Sequence, residues 1–165
     1  MGPESIPAGD ILPVQDTPFD FSAKGATIGS GNRLSGAIDG GGKPGVDHAF
    51  LVKRDEGETV NDSIFKEAGQ LYHEGSSRKM KISTTQPALV VYTANGLCED
   101  GSDGIHQIHA AVCMETCQLN NAVNMIGTPG WPSKESALLA KGRDYNQVTM
   151  HEFEVSDAQY PTGKL

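Results

Sequence analysis

The stretch AAVCMETCQLNNAVN, at 110–124, sets the first question of chemistry. It is apolar and strand-like up to Cys117, yet a carboxylate, Glu115, stands between two thiols, Cys113 and Cys117. Successive side chains of a strand point to opposite faces. Val112, Met114 and Thr116 then share one face, which reads as core. Cys113, Glu115 and Cys117 share the other. An ionised carboxylate is costly to bury without partners. This second face therefore lines a polar groove or meets solvent, and the local sequence leaves both readings open. In a groove with apolar neighbours, a carboxylate is pushed towards its protonated form and suits a general base.

Other candidates are weaker. Asp47 and His48 open the apolar run GVDHAFLV and must point to opposite sides, so one of them faces a polar cavity or the sheet rim. A strand-end pair making loop hydrogen bonds is an equal reading. The pair IHQIH sets His106 and His109 three apart, which on a strand turns the rings to opposite faces and is poor for joint metal ligation. No metal site is expected. In DGGGKPG, Lys43 is followed by Pro44, which has no N–H to offer a phosphate, so a flexible loop is the better reading. The thiols Cys113 and Cys117 are about 13 Å apart if both lie on one strand, beyond disulfide reach.

Few helical periodicities are available to position these residues. Twenty glycines and nine prolines interrupt the 165-residue chain. Strands are expected at 46–53, 69–73, 79–85, 89–93, 107–117 and 146–155, with one short helix at 61–68. The pattern predicts a single all-β domain over 1–165, an antiparallel sandwich or barrel. Residues 1–45, glycine-rich from 25 onward, read as a largely irregular segment with at most one strand, at 33–38. The net charge of −8 argues against nucleic acid and anionic membrane surfaces as partners. No run approaches the 18 apolar residues of a membrane span. MGPESIPAGD lacks the features of a signal peptide, and the three cysteines are odd in number, so a cytoplasmic protein with free thiols is expected.

Five collinear segments resemble the C-terminal half of the aldose 1-epimerase (galactose mutarotase) family. They are ILPVQDTPFDF (11–21), GVDHAFLV (45–52), TTQPALVVYTAN (84–95), HAAVCMETCQLNNAVN (109–124) and GTPGWPSKESALLAKGRDYNQVTMHEF (127–153). The resemblance implies about half of a large antiparallel β-sandwich with a sugar groove on one face. It implies acid–base interconversion of the α and β anomers of a free hexose such as galactose or glucose, with no cofactor. Glu115 matches the family's general base, Asp47 the carboxylate that holds sugar hydroxyls, and Gln86 a glutamine near the sugar. His48, Asn95 and His109 match recurrent positions and imply groove support. The family's acid histidine belongs to the other half, and the Gln and Pro-Asp after its Glu-Thr are replaced by Cys117 and Asn120–Asn121. Half a sandwich exposes apolar surface and strand edges. A further protein chain is therefore expected, as the complementary half of an enzyme or as the larger assembly that a catalytically degenerate subunit would join.

Overall fold

The computed structural model describes residues 6–7, 9–21, 37, 39, 42–97 and 107–155. The strands are β1 (Asp47–Leu51), β2 (Lys66–His73), β3 (Arg78–Thr84), β4 (Ala88–Tyr92), β5 (Cys113–Cys117) and β6 (Thr149–Val155). They form two three-stranded antiparallel sheets, ordered β1-β4-β5 and β2-β3-β6. One four-residue helix, α1 (Lys134–Ala137), is capped by the Ser133 hydroxyl, which accepts from the Ser136 amide. The described part of the chain is all-β.

The first sheet is the centre of the structure and packs on both faces. Val46, Leu89 and Val91 lie on one side with Phe19, Phe21, Phe50, Val112 and Met114. On the other side, Leu119, Ala122 and Trp131 close over Ala88, Ala49, Leu51 and Cys117. Apolar residues fill β4, the central strand, because it is buried from Ala88 to Val91.

Opposite charges face each other across the second sheet. Lys81 pairs with Glu152 directly across β3 and β6, at 2.5 Å, and Lys79 with Glu154 two positions on, at 3.9 Å. Ile82 and Met80 alternate with these lysines, and Ile82 is fully buried. The sheets meet where β2 has no side chain. A Cβ at Gly69 would lie 3.3 Å from both Leu89 Cδ2 and Met114 Cε, so glycine permits the close approach. Beside it, Thr116 and Thr149 share a 2.7 Å hydroxyl contact. Away from this seam β6 is uncovered, and Phe153 is 73% exposed.

Three expectations change. The helix expected at 61–68 is absent. Asp62 instead closes a turn by accepting from the amide and hydroxyl of Thr59, and Lys66, paired to Asp55 and Glu58, opens β2 opposite Thr84. The strand expected from 107 begins at Cys113, because residues 107–109 form a turn with His109 at φ 64°. The last strand begins at Thr149 and not at 146. The strand considered at 33–38 lies outside the described residues apart from Ala37, and His106 and Cys98 lie outside them altogether.

Candidate functional site

Strand register brings two of the expected carboxylates together. Asp47 stands opposite Tyr92, and Tyr92 opposite Cys113; on the next rung of that face, Ala49 stands opposite Val90, and Val90 opposite Glu115. Directly paired residues share a face. Asp47 and Glu115 therefore flank the strip formed by Tyr92, Val90 and Ala49, with backbones roughly 12 Å apart by strand and rung spacing. Glu115 is exposed, and its neighbours Val112 and Met114 turn inward to the core. The face holding Cys113, Glu115 and Cys117 is thus open at the Glu115 rung and closed one rung further, where Cys117 meets the Leu119–Trp131 cluster.

His48 faces the other way. Its ring packs against Phe19 with centroids 4.4 Å apart and planes tilted by 49°, and Nδ1 accepts the Asp47 amide at 3.1 Å. That bond leaves the ring proton on Nε2. Burial holds the His48 pKa below the usual imidazole range, with Asp47 and Asp39 pulling weakly the other way. Asp47 moves oppositely: burial and then the Asp39 carboxylate raise its pKa, and His48 opposes them.

Asn95 is buried and its amide is fully used. Oδ1 accepts from the Thr93 hydroxyl at 2.6 Å, and Nδ2 donates to the Val46 carbonyl at 3.1 Å and to Asp39 Oδ2 at 3.2 Å. Val46 N in turn donates to Thr93 Oγ1 at 2.8 Å. This cluster clamps the approach to β1, so Asn95 fixes the backbone that presents Asp47. His109 Nδ1 lies 2.8 Å from the Thr93 carbonyl and must donate to it, which leaves Nε2 as the acceptor of the neutral ring. The left-handed backbone at His109 is held by its own amide, which donates to the Ala94 carbonyl.

Gln86 stands apart from this face. It is only 7% exposed and its Nε2 donates to the Tyr145 hydroxyl at 3.0 Å. It lines a cleft of about 580 Å³ built from 60–63, 85–87, Gln118, Ser133, 135–139 and 144–146, to which neither Asp47 nor Glu115 contributes. Sequence reasoning missed this cleft because its walls come from five separated segments. The resemblance segments cover four of the five, but of the lining residues only Gln86 stood out as a candidate. Asn121, one of the residues replacing Pro-Asp, serves the fold. At φ 68° it donates from Nδ2 to the Pro7 carbonyl at 2.8 Å. Trp131 Nε1 likewise holds the Gly9 carbonyl at 3.2 Å, so the two side chains strap the 7–9 segment down.

Among the described residues, no three His, Cys, Asp or Glu side chains gather as metal ligands, and no helix is long and apolar enough to cross a membrane. The chemistry on offer is proton transfer and hydroxyl binding.

Comparison with known proteins bears on that chemistry. The aldose 1-epimerase family profile matches residues 1–152. Galactose mutarotase of Sus scrofa is 31% identical over 154 residues, covering 92% of this chain and 39% of the relative. The Rattus norvegicus and Homo sapiens galactose mutarotases are 30% and 28% identical over the same share. The chain thus spans about two fifths of the length of these relatives. Its all-β architecture accords with that match, and the chain belongs to the aldose 1-epimerase family.

Proposed function

We propose that this chain supplies the base-bearing part of a site that interconverts the α and β anomers of a free hexose such as galactose or glucose. The placement of Asp47 and Glu115 on adjacent rungs of one open sheet face carries the reading. Glu115 accepts the proton of the anomeric hydroxyl. An acid protonates the ring oxygen, the bond from C1 to that oxygen breaks, and the open-chain aldehyde forms. Rotation about C1–C2 and the reverse proton transfers close the ring with the other anomeric orientation. Asp47 holds sugar hydroxyls, and burial with the Asp39 carboxylate raises its pKa. Gln86 binds at the edge of the groove, while His48, Asn95 and His109 support its walls. No cofactor takes part.

The acid comes from the complementary half of the sandwich, in the same polypeptide or in another. Among the described residues, the rungs that carry Asp47 and Glu115 hold no histidine, since His48 lies on the opposite face. The exposed β6 edge, with Phe153 and Val155, gives that half an apolar surface to cover. A general acid contributes about 10²–10⁴-fold in rate, so the chain alone is close to inert. The same observation favours a second reading, a structural subunit with residual sugar binding. We place the chain in the cytoplasm under either reading.

Optical rotation of fresh α-galactose separates the two. The chain in its native assembly should speed equilibration, and Glu115→Gln should remove the effect. An assembly no faster than buffer would sink the catalytic reading, and a fully active Glu115→Gln variant would sink the assignment of the base.

A further inference from the structure

Asn95 is the one asparagine of the chain that is followed by a glycine, Gly96. That step carries chemistry of its own. The Gly96 nitrogen can attack the carboxamide carbon of Asn95. A bond from Gly96 N to Cγ closes a succinimide ring, the bond from Cγ to Nδ2 breaks, and the Gly96 proton leaves with Nδ2 as ammonia. Water then opens the ring at either carbonyl. One product is aspartate. The other is isoaspartate, in which the main chain runs through Cγ. A side chain on the second residue would crowd the attack, whereas glycine has none and reaches the backbone angles that the ring requires.

The fold opposes each part of this reaction. The attacking nitrogen is engaged, because Gly96 N donates to the Tyr92 hydroxyl at 2.9 Å. The carboxamide is engaged at both ends, by the Thr93 hydroxyl, the Val46 carbonyl and Asp39 Oδ2. It has no room to turn towards Gly96, since Gly45 packs so closely that a Cβ there would overlap it. Asn95 is 2% exposed, but Gly96 beside it is exposed, so water is at hand. What limits the reaction is opening of the clamp, a local event that does not require the whole chain to unfold.

The products do not restore the clamp. In aspartate an oxygen replaces Nδ2, so the bonds to Val46 and Asp39 are lost and a second carboxylate faces Asp39. In isoaspartate an extra methylene enters the main chain at the Ala94–Leu97 turn, which the Leu97 amide closes onto the Ala94 carbonyl at 3.3 Å. We infer that Asn95–Gly96 is a self-modification site which the clamp holds off: opening of the clamp releases Asn95 into succinimide formation, and the aspartate or isoaspartate that results keeps the clamp open. The inference is independent of the proposed anomerisation, in which neither residue carries a proton.

Incubation of the full chain at neutral pH, followed by peptide mapping with mass detection, tests this. The readout is the fraction of the peptide spanning 95–96 that has exchanged its side-chain NH2 for OH, with isoaspartate separated from aspartate by retention. The folded chain should convert more than about tenfold more slowly than the same chain in denaturing urea. Tyr92→Phe frees the Gly96 amide and should speed conversion of the folded chain about fivefold, while Gly96→Ala should suppress conversion in urea. Asn95→Asp stands in for one product and should melt at a lower temperature than the parent. Three results would overturn the inference. One is no conversion in urea, which would leave the Asn95–Gly96 step inert. Another is equal conversion in the folded and denatured chains. The third is an Asn95→Asp variant as stable as the parent, which would mean that the clamp survives the modification.

Discussion

Asp47 and Glu115 come from opposite edge strands of one sheet, and β4 between them aligns both on the same face. The alignment depends on strand parity, so neighbouring positions must respond oppositely. Glu115→Gln is an isosteric change at an exposed position and should alter unfolding free energy by less than about 0.5 kcal/mol. Met114→Glu turns a charge towards Leu89 and Gly69 and should destabilise by about 3 kcal/mol. Urea denaturation of both variants measures the contrast; equal effects would contradict the register.

The Asn95 clamp should be among the least tolerant polar positions. Asn95→Ala removes the buried amide's bonds to the Thr93 hydroxyl, the Val46 carbonyl and Asp39, for a loss of about 1–3 kcal/mol. Gly45→Ala should be as damaging, since φ is 135° and a methyl group there collides with the Asn95 amide. Thermal melting of the two variants and their combination should give a non-additive loss, because both break one cluster.

Stability should fall as pH drops through the range below about 6.5 because of His48. Its folded pKa is lowered by burial, so the unfolded chain binds the proton first and acidification favours unfolding. Asp47 acts with the opposite sign: its raised pKa means stability falls as pH rises from the ordinary aspartate value of 3.8 through its folded value. Asp55, Glu58, Asp62 and Glu135 have lowered pKa values and lose their contributions only below the ordinary carboxylate range. Denaturation midpoints measured from pH 7 to pH 5 should therefore fall in the parent and fall less in His48→Gln. Identical slopes would remove His48 as the cause.

The two strand thiols should differ in reactivity. Cys113 is exposed, whereas Cys117 is half-buried against the Leu119 cluster. Burial raises the Cys117 pKa, and the Glu115 charge adds to the rise, so less thiolate forms there. Peptide mapping after brief iodoacetamide treatment at neutral pH should find Cys113 labelled well ahead of Cys117. The reverse order would mean that the β5 end is open.

Strand parity alone makes the two faces of β5 legible from its residues: Met114 inward, Glu115 outward. The core of β4 is visible as well, as the dense apolar run Ala88–Tyr92 between polar breaks. Boundaries fail where tertiary contacts decide them. The short helix expected at 61–68 yields to the ion pairs of Lys66 and the ladder to Thr84. His109 reads as strand, and its left-handed backbone places it in a turn. The Asn95 clamp and the Tyr145 cleft leave no local signal, since each joins groups distant in sequence that only the folded sheets bring near.

The strap over the 7–9 segment orders events in time. Its two hydrogen bonds join residues 114 and 122 positions apart. Closing such large loops precedes any gain from the contacts, which makes them late events in folding. On the ribosome Pro7 and Gly9 emerge before Asn121 and Trp131, and they have no docking site until those residues have been made and the first sheet has formed beneath them. Burial of the lone tryptophan then coincides with completion of the fold, giving the chain a built-in clock.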